Sequence, residues 1–146
     1  NAINMKDIDK QHIINRLKQE NCSCIIVKDG IASCYYQHGV RDLYDLLNNG
    51  SNTLNGAFVA DKVVGKGASA LMILGGVSAL HAEIISTEAL KLIRNSEIIC
   101  TFATEVTHII NRTGTDICPV ERQCLTCATA AECLPKIKGF FDNLKD

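Results

Sequence analysis

Apolar positions recur at helical spacing in the first predicted element of the chain. Within Asp7–Lys18, the side chains of Ile8, Ile13, Ile14 and Leu17 fall near one side of a helix. This spacing predicts an amphipathic helix that buries its apolar side.

A β-hairpin is predicted directly after this helix. Cys24–Val27 is a short apolar run, and Ile31–Tyr36 is a second run with strand character. Lys28–Gly30 lies between them and contains an Asp-Gly pair, which is a favoured sequence for a tight hairpin turn.

Helical and strand-like segments alternate through the rest of the chain. The predicted elements are a helix over Arg41–Leu47, a helix over Asp61–Leu74, a strand over Val77–Ser86, a helix over Thr87–Ile93, a strand over Ile98–Phe102, a helix that begins at Pro119, and a last helix that follows the capping box Thr129–Glu132 and runs to Leu144. A hairpin followed by this alternation predicts an α/β fold, a three-layer α/β/α sandwich with a mixed sheet. The length of 146 residues suits one domain, residues 3–146.

Composition narrows the class of protein. Apolar residues make up 47% of the chain and charged residues 21%, which indicates a globular protein. The net charge of −1 gives no strong signal for nucleic-acid binding. The longest apolar run, Ala68–Leu80, is too short to span a bilayer, so no membrane partner is expected. No signal peptide is recognised, so the eight cysteines are expected to be reduced thiols of a cytoplasmic protein.

Charged residues cluster around the predicted start of the second long helix. The stretch Gly65–Gly67 is not a phosphate-binding loop, because Ala60 stands where that motif needs a glycine and Gly67 where it needs Ser or Thr. In the predicted helix, Lys62 and Lys66 are four residues apart and would share one face, where they could bind an anion. In the alternative interpretation Asp61 caps the helix and both lysines are solvated.

Cysteines dominate the candidate chemistry of the C-terminal third. Cys118 precedes Pro119 at a predicted helix start, and the backbone N–H groups there favour a thiolate nucleophile. The alternative is that Cys118 is a small buried apolar residue. With Cys124, Cys127 and Cys133 it forms a C-x5-C-x2-C-x5-C spacing, which leaves metal binding and isolated packed thiols both open.

The triplet His81-Ala82-Glu83 matches the His-x-Glu of zinc deaminases. It lies in a predicted strand, whereas the deaminase motif lies at a helix start, and no Pro-Cys-x-x-Cys follows it. We therefore expect no zinc on His81.

Several segments together resemble a family of small bacterial and archaeal proteins with a cytidine-deaminase-like fold. They are Val27–Gly30, Ala60–Lys66, Asn111–Gly114 and Cys118–Glu121, and the resemblance extends from about the first helix to the last. It implies a pocket between two helix starts and, at fold level, a nucleotide-like ligand. Zinc deaminases carry His/Cys-x-Glu and Pro-Cys-x-x-Cys at the places that Ala60–Lys62 and Cys118–Glu121 take here, so no metal site is expected there.

The functional hypothesis is a deaminase-like protein whose pocket binds a small anionic ligand and whose reaction is unknown. The candidate catalytic residues are Cys118 as nucleophile and Glu121 and Asp61 for proton transfer; the candidate ligand-binding residues are Lys62, Lys66, Asn111, Arg112 and Thr113. The sequence identifies no cofactor, and it is compatible with a homo-oligomer. Two alternatives are a non-catalytic ligand-sensing module and a metal or redox module that uses the C-terminal cysteines.

Overall fold

Five strands form one mixed sheet in the structure, a computed structural model that describes residues 5–37 and 40–144. The strands are β1 (Cys24–Lys28), β2 (Ile31–Tyr35), β3 (Phe58–Val64), β4 (Ala79–Ser86) and β5 (Ile99–Val106), in the spatial order β2-β1-β3-β4-β5. Strand β1 runs antiparallel to both of its neighbours, whereas β3, β4 and β5 are parallel. The α/β class and the mixed sheet are therefore confirmed.

Six helices accompany the sheet in the described residues. They are α1 (Asp7–Gln19), α2 (Arg41–Asn48), α3 (Lys66–Gly75), α4 (Thr87–Arg94), α5 (Pro119–Cys124) and α6 (Ala130–Asn143). The hairpin turn between β1 and β2 has positive φ at Asp29 (51°) and Gly30 (78°), as the Asp-Gly pair predicts. None of the described helices has the length and apolar character needed to cross a bilayer.

The side chains of β1 alternate between two packed layers, and helices contribute to the layer on each face of the sheet. Ile25 and Val27 pack with Ile14 and Leu17 of α1 on one face. Cys24 and Ile26 point to the opposite face and join a larger core, to which helices α2 to α6 contribute. The carboxyl end of β3 lies between these two layers of packing.

The central strand β3 corrects the predicted helix over Asp61–Leu74. Asp61 belongs to the strand, where it pairs with Cys24 of β1 and Ala82 of β4, and α3 begins only at Lys66. Lys62 and Lys66 therefore do not share a helical face. The physical reason is that β3 is stabilised by strand partners distant in sequence, which the local pattern cannot show. Strand β5 also runs to Val106, beyond the predicted end.

Candidate functional site

A cavity of about 730 Å³ lies where β3 ends and α3 begins. Its size is in the range of small-molecule sites, and in open α/β sheets ligands commonly bind beyond the carboxyl ends of parallel strands. Seven of the eight sequence-predicted site residues line this cavity: Asp61, Lys62, Asn111, Arg112, Thr113, Cys118 and Glu121. The two segments that the sequence analysis singled out thus meet in space.

Asp61 is a buried carboxyl group on the cavity wall, with a relative exposure of 6%. Burial raises the pKa of Asp61 to about 7, because the carboxylate loses its hydration. Hydrogen bonds from the backbone N–H groups of Val63 and Lys62 oppose this shift, and the charge of Asp42 adds to it. A carboxyl group with this pKa can both donate and accept a proton near neutral pH.

Two cationic side chains line the same cavity. The Lys62 ammonium donates a hydrogen bond to the backbone carbonyl of Glu20 (2.7 Å), at the end of α1. This contact also suits the negative end of the helix dipole. Arg112 is exposed and forms no ion pair or hydrogen bond with a described residue. The cavity therefore has one fixed cation and one that is free to meet a ligand.

Asn111 organises the loop that carries Arg112. Its side-chain oxygen accepts hydrogen bonds from the Thr113 hydroxyl (3.1 Å) and the Thr115 N–H (3.0 Å), and its amide group donates to the Thr115 hydroxyl (3.2 Å). The side chain of Asn111 thus holds the turn at Gly114, where φ is 73°. Its contribution to ligand binding would be to position the loop.

The Glu121 carboxylate is buried and accepts hydrogen bonds from three groups of the protein. One carboxylate oxygen accepts the Lys66 N–H (2.8 Å) and the Ser86 hydroxyl (2.7 Å), and the other accepts the Ile109 N–H. The carboxylate therefore caps the start of α3 and links it to β4 and to the segment after β5. These contacts fit a structural role better than proton transfer, which stays a prediction for this residue.

Lys66 is the predicted site residue that does not line the cavity. Its relative exposure is 5%, and its ammonium donates to the carbonyls of Leu125 (3.2 Å) and Cys127 (2.5 Å). These carbonyls lie at and just beyond the end of α5, where a cation is favourable. The geometry favours Lys66 as a link between α3 and α5.

Cys118 is half-buried on the cavity wall, directly before α5. Its backbone N–H donates to the carbonyl of Ile109 (2.8 Å). Gly67 allows α3 to approach α5 closely, because a Cβ at this position would lie 2.5 Å from a methyl group of Val120. This contact brings Cys118 and the start of α3 to one cavity.

The other C-terminal cysteines are buried behind the cavity, and all eight thiols of the chain are free. A hydrogen bond with the Cys133 thiol lowers the pKa of Cys124, while burial raises the pKa of Cys127. In the described residues, no three of Cys118, Cys124, Cys127 and Cys133 have sulfur atoms that all lie within 4.8 Å of one another. Their spacing therefore does not produce a thiolate cluster in this structure.

A deaminase-type zinc site does not fit the residues at this cavity. By the same 4.8 Å distance, Asp61, Cys118 and Glu121 belong to no group of three metal-ligating side chains among the described residues. His81 lies in β4, where its ring nitrogens contact the Thr101 hydroxyl (2.8 Å) and the Glu83 carboxylate (2.7 Å).

Sequence reasoning missed several residues of this region. Cys22 and Phe140 line the cavity although neither belongs to a recognisable motif. Ser86 holds Glu121 from a position 35 residues away. Strand alternation would place Cys22 and Cys24 on the same face, but Cys22 precedes β1, and the two thiols pack on opposite faces of the sheet. Their Cys-x-Cys spacing therefore gave no usable signal.

Comparisons with known proteins identify the family. The family described as a domain of unknown function (DUF1893, TM1506) matches residues 12–141. The crystal structure of a DUF1893 family protein from Thermotoga maritima superposes with a TM-score of 0.83 at 19% identity, covering 95% of this chain and 94% of that chain. At this identity the likeness shows a shared fold. No curated protein is similar enough to count as a match. Because the family match spans most of the chain, the protein belongs to the DUF1893 family.

Proposed function

We propose that the cavity binds a small anionic, nucleotide-like ligand and that Asp61 transfers a proton to or from it. The observation that carries this proposal is a buried carboxyl group, with a pKa of about 7, on the wall of a cavity that also contains Lys62 and Arg112. Carboxyl groups perturbed in this way concentrate at functional sites. An anionic ligand would offset the cost of placing cations beside a largely apolar cavity.

Each group has a distinct part in this proposal. Lys62 and Arg112 attract the anionic part of the ligand. Apolar side chains such as Val40, Ile109 and Phe140 form a surface for a planar ring. Asp61, protonated in part of the molecules at neutral pH, donates a hydrogen bond or a proton to a ring nitrogen or carbonyl oxygen.

The proposal includes a deaminase-like three-layer arrangement of the fold. Its support is that helices pack on both faces of a mixed sheet and that the cavity lies between the starts of α3 and α5. Asp61, Cys118 and Glu121 do not form a zinc-ligand set, so the proposed chemistry at these residues uses no zinc-activated water. Cys118, on the same wall, is the proposed nucleophile where the reaction has a covalent step.

A ligand-sensing module without catalysis is the second candidate. The observation that favours it is Glu121, since both of its carboxylate oxygens are already engaged by protein donors. In that case Asp61 would recognise the protonation state of the ligand without chemical turnover.

Calorimetric titration with nucleoside monophosphates and with the matching nucleosides tests the proposal. We expect the monophosphates to bind more tightly, and Lys62→Gln to weaken their binding by about fivefold to tenfold, the equivalent of about 1 kcal/mol. Lys91→Gln, at an exposed position of α4, is the matched control and should leave affinity unchanged. Bound ligand should also slow alkylation of Cys118.

Mass spectrometry of the ligand after incubation separates the two candidates. Turnover that is lost in Asp61→Asn while binding remains supports the proton-transfer role. Binding without any chemical change supports the sensing module. If neither monophosphates nor nucleosides bind, or if both lysine variants weaken binding equally, the proposal for this cavity is wrong.

A further inference from the structure

A second group of chemically active side chains lies at the end of α1, beside the cavity but outside the proposed proton-transfer site. Glu20, Cys22 and Cys34 each offer one ligand atom, and these three atoms all lie within 4.8 Å of one another. They are the one such group of three in the part of the chain that the structure describes. We propose that these three side chains bind a divalent metal ion that prefers thiolate ligands, such as zinc.

The three side chains are brought together by separate parts of the fold. Glu20 caps the end of α1, and Cys22 follows it in the connection to β1. Cys34 lies in β2 opposite Ile25, so the hairpin register fixes its position. Cys22 and Cys34 belong to the same packed layer beneath α1. The three side chains thus come from a helix end, a connection and a strand. Their proximity is a product of the tertiary fold, because neighbours in sequence alone would not bring them together.

The distances are close to those of a zinc site. The Cys34 sulfur lies 3.2 Å from a carboxylate oxygen of Glu20. In a tetrahedral site with ordinary zinc–sulfur and zinc–oxygen bond lengths, these two ligand atoms would be roughly 3.5 Å apart and two sulfurs roughly 3.8 Å apart. Small rotations of the side chains are therefore sufficient to surround an ion.

The choice of ion follows from the donor atoms. Two thiolates favour zinc over magnesium or calcium, which prefer sites made only of oxygen ligands. Three protein ligands leave one position of a tetrahedral ion for water or for an external group. Because Cys22 also lines the large cavity, the ion would lie at the margin of the ligand site.

Nearby positive charge balances the site. The Arg16 guanidinium donates to the Cys34 sulfur (3.1 Å) and to the Glu20 carboxylate (3.2 Å). Two thiolates, one carboxylate, one Zn²⁺ and one guanidinium sum to zero charge. Binding is then an exchange in which two thiol protons leave to solvent as two zinc–sulfur bonds form. The hydrogen bond between Lys62 and the Glu20 carbonyl fixes the helix end that carries the carboxylate.

Cobalt(II) titration of the reduced protein, without oxygen, tests the proposal. We expect one equivalent to bind with sulfur-to-cobalt charge-transfer absorption, and zinc to displace it. Cys22→Ser and Cys34→Ser should each weaken binding by at least about tenfold, and Glu20→Gln by a smaller factor. Calorimetry in buffers of different ionisation enthalpy should detect about two protons released per zinc.

Matched cysteine variants make the result specific. Cys100→Ser, in β5, and Cys124→Ser, in α5, should bind cobalt as the unmodified protein does. Cys34 and Glu20 are partly exposed, so their variants are expected to fold even if Cys22→Ser does not. Binding that survives in Cys34→Ser, binding lost only in Cys124→Ser, or a Cys22–Cys34 disulfide in the protein as isolated would overturn the proposal. None of these outcomes depends on whether the cavity binds a nucleotide.

Discussion

At the scale of single residues, the acidity of Asp61 is set by its place in the sheet. The side chain is buried in the middle of β3, and loss of hydration is the largest cause of its raised pKa. The charge of Asp42 is a smaller cause. Burial of this aspartate within the sheet thus raises its pKa until it titrates near neutral pH.

Replacing Asp61 by asparagine tests this directly through stability. In the folded protein Asp61 keeps its proton up to about pH 7, whereas in the unfolded chain it loses it near pH 4. The protonated carboxyl therefore stabilises the folded state at low pH, and this contribution is lost as the pH rises through 7. From pH 5 to pH 8, the unfolding free energy of Asp61→Asn relative to the unmodified protein should rise by about 2–3 kcal/mol.

Urea denaturation of Asp61→Asn and of the unmodified protein at both pH values measures this difference. A difference that stays constant between pH 5 and pH 8 would show that Asp61 is ionised in the folded protein at both pH values.

At the scale of elements, the junction of β3 and α3 was the hardest part to predict. Phe58–Ala60 is an apolar run that continues to Val64, yet Asp61 and Lys62 interrupt it and imitate the polar start of a helix. The strand is stabilised by Cys24 on one side and by His81 and Ala82 on the other. Only pairing with distant strands distinguishes the two possibilities.

Elements with local signals were predicted well, as was the meeting of the site segments. The Asp-Gly turn, the capping box at Thr129 and the apolar spacing of α1 each depend on neighbouring residues. The resemblance placed Asp61 and Cys118 together, although the helix assigned to Asp61 was wrong. The engagement of Glu121 and Lys66 could not be predicted, because their partners lie 12 to 61 residues away.

The contact between α3 and α5 gives a prediction for Gly67. Gly67→Ala should destabilise the protein by about 1–3 kcal/mol, since the added methyl group meets Val120 across the helix contact. Gly139→Ala, in α6, is the matched control because nothing lies within 4 Å of the position its methyl group would take, and it should stabilise by about 0.5–1 kcal/mol.

A double-mutant cycle with Val120→Ala isolates the steric effect. We expect the loss caused by Gly67→Ala to shrink by at least about 1 kcal/mol when Val120 is truncated. Equal effects of Gly67→Ala with and without Val120 would mean that another contact requires the glycine.

At the scale of the whole molecule, Glu121 joins parts of the chain that are otherwise remote. It lies in α5 and accepts hydrogen bonds from the first residue of α3, the last residue of β4 and the segment after β5. Its relative exposure is 1%, so a lost acceptor would leave its three donors largely shielded from bulk water.

Removal of the whole Glu121 carboxylate should therefore lower the free energy of unfolding more than removal of its charge alone. Glu121→Ala leaves three buried donors without an acceptor and should lower the unfolding free energy by about 3–5 kcal/mol. Glu121→Gln keeps one oxygen and should lose less, about 1–3 kcal/mol. The corresponding variants of the exposed Glu97 should stay within about 0.5 kcal/mol of the unmodified protein. Thermal or urea unfolding measures all four, and a loss under 1 kcal/mol for Glu121→Ala would contradict the structural role.

The link made by Lys66 also determines how the cavity can open. Its ammonium ties the start of α3 to the carbonyls at the end of α5, while Glu121 of α5 accepts a hydrogen bond from the backbone N–H of Lys66 itself. We expect the start of α3 and the helix α5 to move together. Segment 110–117, by contrast, makes most of its hydrogen bonds within itself. We therefore expect the cavity to open to a ligand by local motion of this loop. Its amide protons should exchange with solvent faster than those of either helix.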